Sequence, residues 1–134
     1  MTGFRSPADM LRSARIAQTI SAWFKEPDVT RDLNQGRLDL VRIGDITIGR
    51  VTCFPGWRWS THLGKKVGQG WSELEQAGWV IEGAAAVRFP NDRVCIMRAG
   101  DLFHIPPEPH DFWVLEQEPF VALYFIGGDR CGLV

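Results

Sequence analysis

The chain has 134 residues, of which 15 are Lys or Arg and 16 are Asp or Glu, so its formal net charge is −1. This length predicts one domain over residues 1–134, large enough to bury a core without metal or disulfide support. The balanced charge, with no basic run, excludes the electrostatic signature of a nucleic-acid-binding protein.

Cysteine content and hydropathy indicate the compartment. Cys53, Cys95 and Cys131 are odd in number and widely spaced, which favours reduced thiols. No apolar run approaches the roughly 20 residues of a membrane span, and the N-terminus lacks the apolar segment of a signal peptide. We therefore expect a soluble cytoplasmic protein without a membrane partner.

Residues 1–36 predict one helix followed by an arm. Ser6 is a suitable N-cap, Pro7 fits the first helical position, and Asp9 lies where the helix dipole favours negative charge. Apolar residues then recur at spacings of three and four. This pattern predicts an amphipathic helix over residues 7–25.

Residues 37–126 have the pattern of an all-β structure, and residues 127–134 follow as a tail. Turns rich in Gly, Pro, Asn and Asp separate many short runs, which is typical of a sandwich or barrel. The predicted strands cover residues 38–43, 46–54, 73–81, 84–89, 94–97, 102–105, 111–115 and 120–126. Residues 63–71 form the one long irregular segment, and such loops are more often functional or mobile than idle.

Two histidines lie at short distances after turn-forming glycines. His62 follows Gly56, and His110 follows Gly100, with strand-like sequence around both. Neighbouring strands would direct both imidazoles into one cavity. The pair is therefore the first candidate for a functional site.

This spacing resembles the cupin superfamily, whose motifs are G-x5-H-x-H-x3,4-E-x6-G and G-x5-P-x-G-x2-H-x3-N. The matching positions are Gly56, His62 and Gly83 in the first motif, and Gly100 and Pro106 in the second, with His110 close to its histidine. Residues 36–119 also resemble a bacterial cupin branch that carries the string PGWRWS, here residues 55–60. The resemblance implies a cupin jelly-roll β-barrel but no single activity, because one fold hosts many functions.

The chain departs from the metal-ligand pattern of that family. Gly64 replaces the second histidine of H-x-H, Gln76 stands at the glutamate position, and Val114 replaces the final asparagine. The resemblance thus implies a degenerate metal site of His62, Gln76 and His110. Because a neutral amide binds a hard dication more weakly than a carboxylate, we expect at most a weakly bound divalent iron, manganese, nickel or zinc ion.

Nearby ionisable residues offer few replacements for the missing ligands. Glu75 alternates with Gln76 along the predicted strand and should point away from it. Glu108 precedes His110 and would restore a carboxylate by turning inward. His104 is expected to be a structural or surface histidine.

Strand alternation around His62 predicts which neighbours share its face. Arg58 and Ser60 are expected beside it in the cavity wall. Trp57 and Trp59 are expected to face outward, against a second sheet or a partner subunit, and the alternative is that the tryptophans form aromatic walls of a ligand pocket.

The same rule around His110 places Phe112 in the cavity. A cavity-facing Arg58 needs an anionic partner, either a ligand carboxylate or phosphate or a structural residue such as Glu73 or Glu75. The predicted ligand-binding residues are therefore Arg58, Ser60 and Phe112.

Three functions remain open. The first is a small-molecule-binding protein with a degenerate metal site and no assigned reaction. The second is a metal-dependent enzyme of oxygenase, isomerase or lyase type that uses His62 and His110. The third is an interaction module with a vestigial pocket. The missing carboxylate favours the first over the second, and the long loop and six tryptophans favour both over the third. The tryptophan content also predicts a homodimer.

Overall fold

The computed structural model describes residues 24–131. The helix predicted over residues 7–25 lies outside this range except for its last two residues, which form a turn. No helix in the described part is long and apolar enough to cross a membrane.

Strands make up most of residues 24–131. They are β1 (Val29–Asp32), β2 (Gly36–Ile43), β3 (Ile46–Cys53), β4 (Gln76–Glu82), β5 (Ala84–Arg88), β6 (Val94–Arg98), β7 (Leu102–Ile105), β8 (Asp111–Val114) and β9 (Phe120–Ile126). A helical turn, α1 (Trp59–His62), and two 3-10 turns, Gly64–Val67 and Gly128–Arg130, lie in the connections.

The strands form two antiparallel sheets. One has six strands in the order β1-β2-β3-β9-β4-β7, and the other has three in the order β6-β5-β8. The all-β jelly-roll prediction is confirmed. The two sheets are not joined into a closed barrel, so the structure is better described as a sandwich of two open sheets.

The core fills the space between the sheets. Phe120 of the larger sheet and Phe112 of the smaller one meet edge to face, with ring centroids 5.2 Å apart. Both side chains are buried, and such aromatic pairs stabilise beyond their buried area. Many of the other inward positions on the two sheets are aliphatic, including Val51, Val80, Ala122, Ala85 and Val87.

The link from β4 to β5 carries the chain from one sheet to the other at Gly83. This residue has a φ of +78°, in the left-handed region that favours glycine. A Cβ atom there would also collide with the carbonyl oxygen of Pro119. The glycine that matched the end of the first cupin motif is thus required by the backbone.

Two local predictions were wrong. Residues 29–32 were assigned to an arm but form β1, paired with β2 from Val29 opposite Leu40 to Asp32 opposite Arg37. Strand alternation is the prediction for residues 57–62, but His62 donates its amide N–H to the Arg58 carbonyl and closes the helical turn α1. Strand alternation therefore does not apply through His62.

Candidate functional site

A small cavity lies between the two sheets. Its volume is about 20 Å³, enough for about one water molecule. Apolar side chains form most of its wall. The lining residues are Leu33, Val51, Cys53, Trp57, Trp59, Ser72, Leu74, Gln76, His110, Phe112, Tyr124 and Cys131.

Gln76 reaches this cavity from the first residue of β4. Its side chain is buried, whereas the neighbouring Glu75 is exposed, as alternation predicted. Within residues 24–131, no hydrogen-bond partner is found for the Gln76 carboxamide. Its oxygen and nitrogen are not fully buried, so the amide is free to bind water or a ligand.

His110 reaches the same cavity from the residue before β8. Its backbone exchanges two hydrogen bonds of 2.8 Å with the backbone of Ser72, which fixes its position. The ring Nδ1 lies 2.8 Å from the carbonyl oxygen of Glu108. Because a carbonyl only accepts, Nδ1 carries the proton, and Nε2 of the neutral ring is left as an acceptor.

The charge state of His110 follows from its burial. Burial lowers the pKa of the imidazole below 6.5, and this effect outweighs the Glu108 carbonyl and the Asp111 carboxylate, which both raise it. His110 is therefore neutral at pH 7.

The other titratable groups in the lining are neutral as well. Burial raises the pKa of the Cys53 thiol well above its usual value, and the nearby Cys131 adds to the effect. Burial raises the pKa of Cys131 to about 11, although Arg31 opposes the shift. Burial also raises the pKa of Tyr124, with further increases from the two thiols. The cavity therefore presents hydrogen-bonding groups without charge.

Protonation of buried His110 should make the stability of the protein depend on pH. The folded pKa lies below the unfolded value of 6.5, so the unfolded state binds more protons between the two. The stabilising contribution is complete above pH 6.5 and is lost as the pH falls through the folded pKa. Urea unfolding should show this loss in the wild type and a flatter profile in His110→Gln. Equal slopes in the two proteins would contradict the assignment.

Arg58 and Ser60 do not line the cavity, and their predicted place in its wall is corrected. Arg58 donates from Nη1 to the Asp111 carboxylate at 3.1 Å, and its guanidinium lies 4.3 Å from the centre of the Trp113 ring. Ser60 donates to the same carboxylate from its amide at 3.0 Å and from its hydroxyl at 2.7 Å. Arg58 thus has a structural partner, but the partner is Asp111 and neither Glu73 nor Glu75.

His62 is also outside the cavity. It is half-buried and stacked on Trp57 with ring centroids 5.9 Å apart. Its Nδ1 atom lies 3.0 Å from both the amide nitrogen and the carbonyl oxygen of Arg58. The expected convergence on one cavity thus holds for Gln76 and His110 but fails for His62.

The predicted orientation of the tryptophans is reversed. Trp57 and Trp59 are 3% and 7% exposed and form part of the cavity wall. Because residues 59–62 turn into α1, the indoles face the core and the polar side chains between them reach Asp111. Phe112 lies in the cavity wall as predicted.

The carboxylates near the site are engaged elsewhere. Glu75 pairs with His104 at 2.9 Å on the surface, which gives His104 the surface role expected of it. Glu108 does not turn inward, since its carboxylate lies 3.8 Å from Arg93.

The residues do not fit the implied metal site. Of the three predicted ligands, only Gln76 and His110 share the cavity. Within residues 24–131, no group of three His, Cys, Asp or Glu side chains is arranged to hold a metal ion. This part of the chain therefore does not supply the two histidines and one carboxylate of a mononuclear metal centre.

A large groove lies outside the cavity. Its volume is about 970 Å³, and its lining combines residues 69–75 with Pro107, Pro109, Ile126, Gly127, Asp129 and Arg130. Ser72 and Leu74 line both spaces, so they form the partition between groove and cavity. The groove itself was not predicted, although the long irregular segment pointed to its upstream rim.

Comparison with known proteins identifies the family. The model of the cupin domain matches residues 60–126, which is half of the chain, and the protein therefore belongs to the cupin superfamily. No curated protein matches.

Solved structures agree on the fold. An RmlC-like cupin from Shewanella frigidimarina superimposes with a TM-score of 0.56 at 15% identity, covering 82% of this chain and 91% of that one. A protein of unknown function from Acidithiobacillus ferrooxidans gives 0.54 at 20% identity, covering 73% and 86%. A cupin-like protein from Thermotoga maritima gives 0.51 at 16% identity, covering 71% and 70%. Similarity at these identities shows the fold alone.

Proposed function

We propose that this cupin binds an uncharged small molecule between its sheets, with Gln76 and His110 as the polar recognition groups and Phe112 as an apolar wall. No reaction is assigned. The observation that supports this proposal is the neutrality of the lining, in which an amide and an imidazole lie among apolar side chains. Burying a charged ligand there would be costly because no charged side chain compensates it.

The recognition chemistry is specific. Nε2 of His110 accepts a hydrogen bond, and the carboxamide of Gln76 both donates and accepts. A ligand that carries an N–H or O–H beside a carbonyl would satisfy both side chains. An aromatic or aliphatic body would occupy the surface formed by Phe112, Trp57 and Trp59.

Matched probes test this proposal. Benzamide, benzoate and benzamidinium have nearly the same shape but are neutral, anionic and cationic. We expect benzamide to bind at least about tenfold more tightly than either ion, and Gln76→Leu or His110→Leu to weaken it by about tenfold, as the loss of one hydrogen bond implies. Titrations followed by NMR would measure both effects. Equal binding of benzoate, or unchanged binding in both variants, would refute the proposal.

We also propose that the protein is a homodimer, formed through the outer face of the six-stranded sheet. Trp79 lies directly opposite Leu102 on β7 and Leu123 on β9, so the three side chains share this face. Leu102 is 79% exposed and Trp79 is 44% exposed. Adjacent large apolar residues on a surface favour a protein interface.

Light scattering tests the dimer. The wild type should give twice the chain mass of 15.1 kDa at high micromolar concentration, and Leu102→Glu should give the monomer mass because a charge would be buried at the interface. Lys66→Glu, an exposed change in the 3-10 turn Gly64–Val67 and so outside the strands of this sheet, is the control. A monomeric wild type would argue against the interface.

A further inference from the structure

The interior cavity is too small for the ligand that its lining suits. A volume of about 20 Å³ holds one water molecule, whereas ligand pockets usually occupy about 300 Å³ or more. A groove of about 970 Å³ lies directly outside it. Ser72 and Leu74 line both spaces and therefore lie between them.

Residues 70–75, here called the strap, belong to no strand ladder, although Leu74 packs against the core and the Trp71 ring lies 6.0 Å from the Arg88 guanidinium. Ser72 pairs with His110 through an isolated bridge of two backbone hydrogen bonds and joins no ladder. The Ser72 hydroxyl accepts from the Leu74 amide at 3.3 Å, within the strap itself. The ion pair between Glu75 and His104 lies on the surface, where such pairs contribute little.

The two ends of the strap are held in different ways. Upstream, the strap follows the 3-10 turn Gly64–Val67, to which it is joined by the Gln69 amide donating to the Gly64 carbonyl at 2.8 Å, and Gly70 has no atom near the position of a side chain. Downstream, Gln76 enters β4, which is paired with β7 on one side and β9 on the other. The strap is thus attached to a rigid sheet at one end and to a glycine-containing loop at the other.

We propose that the strap opens to admit the ligand to the binding site. Breaking the Ser72–His110 bridge and moving Leu74 outward joins the groove to the cavity and gives a ligand access to Gln76 and His110. This inference rests on the proposed interior site. It assigns the entry route, which neither the fold nor the family match specifies.

Thiol labelling measures this opening without a ligand. Cys53 lines the cavity and is 1% exposed, so it reacts with the uncharged reagent N-ethylmaleimide only when the site opens. Cys95 is exposed and is replaced by serine in every protein compared. Peptide mass spectrometry identifies Cys53 as the labelled residue.

Two truncations in the cavity wall distinguish opening at the strap from opening elsewhere. Leu74 lines the groove and the cavity, whereas Leu33 lines only the cavity. We expect Leu74→Ala to accelerate Cys53 labelling by at least about tenfold at low urea, with little urea dependence, because local opening exposes little surface. Leu33→Ala should remain within about twofold of the parent under the same conditions. Equal acceleration in both variants, or labelling that follows global unfolding in urea, would overturn the proposal.

Hydrogen exchange of the unaltered protein provides a second test that needs no variant to fold. The amides of Ser72 and His110 should exchange together, at least about a hundredfold faster than the ladder amides of β2 and β3. Exchange at the rate of the ladder would overturn the proposal. If the strap opens but benzamide does not bind, the proposed ligand class is refuted and the entry route is not. If benzamide binds but the strap does not open, the entry route is refuted and the proposed ligand class is not.

Discussion

Replacing Trp57 with alanine is expected to destabilise the protein by about 3–5 kcal/mol, the usual cost of truncating a buried aromatic side chain. Trp57 is 3% exposed and packs edge to face on Phe112. Its indole N–H donates to the buried carbonyl of Leu33 at 2.9 Å. The truncation leaves a cavity and an unpaired carbonyl together.

Two further tryptophan variants provide reference values for the free energy lost in Trp57→Ala. Trp57→Phe keeps most of the ring but loses the hydrogen bond to Leu33, so it should cost about 1–3 kcal/mol. Trp71→Ala removes a partly exposed ring beside Arg88 and should cost at most about 1 kcal/mol. Urea unfolding measures all three. A cost for Trp57→Ala no greater than that for Trp71→Ala would show that the indole faces outward.

Asp111→Ala is expected to cost about 2–3 kcal/mol. The buried carboxylate accepts hydrogen bonds from Arg58, from the amide and hydroxyl of Ser60, and from the Phe112 amide. Its removal leaves several donors without an acceptor. The expected cost is less than for a fully buried ion pair because the Arg58 side chain is 40% exposed and regains water.

The controls for Asp111 separate stability from binding. Ser60→Ala removes one donor and should cost about 1 kcal/mol. Arg58→Met should leave benzamide affinity within about twofold, since Arg58 lies outside the cavity. A cost below about 0.5 kcal/mol for Asp111→Ala would show that the network is incidental. A large loss of benzamide binding in Arg58→Met would show that Arg58 belongs to the ligand site after all.

Local sequence patterns were sufficient for most strands. Alternation and turn residues located β2 through β9 to within a few residues, because each strand has its own hydrophobic period. They did not reveal β1, whose four residues have little pattern of their own and gain their structure by pairing with β2.

The error at residues 57–62 has a non-local cause. The alternation of Trp57, Arg58, Trp59 and Ser60 imitates a strand. The helical turn forms because the Asp111 carboxylate, far away in sequence, accepts the amide and hydroxyl of Ser60. No pattern within the segment itself indicates that partner.

The same limit applies to the site. Alternation correctly directed Gln76, His110 and Phe112 inward, because each lies in or beside a regular strand. It did not identify Ser72, whose place in the wall depends on its backbone bridge to His110. It also missed Tyr124, which comes from β9. Alternation assigns a face, but it does not say which strands meet across the cavity.

Imidazole ¹⁵N NMR during a benzamide titration tests the central claim most directly. The chain has three histidines, so His62 and His104 serve as internal controls in the same spectrum. We predict that Nε2 of His110 shifts as it accepts a hydrogen bond from the amide, while the resonances of the other two remain unchanged. A shift confined to His62, or saturable binding that leaves His110 unaffected, would contradict an interior site built on Gln76 and His110.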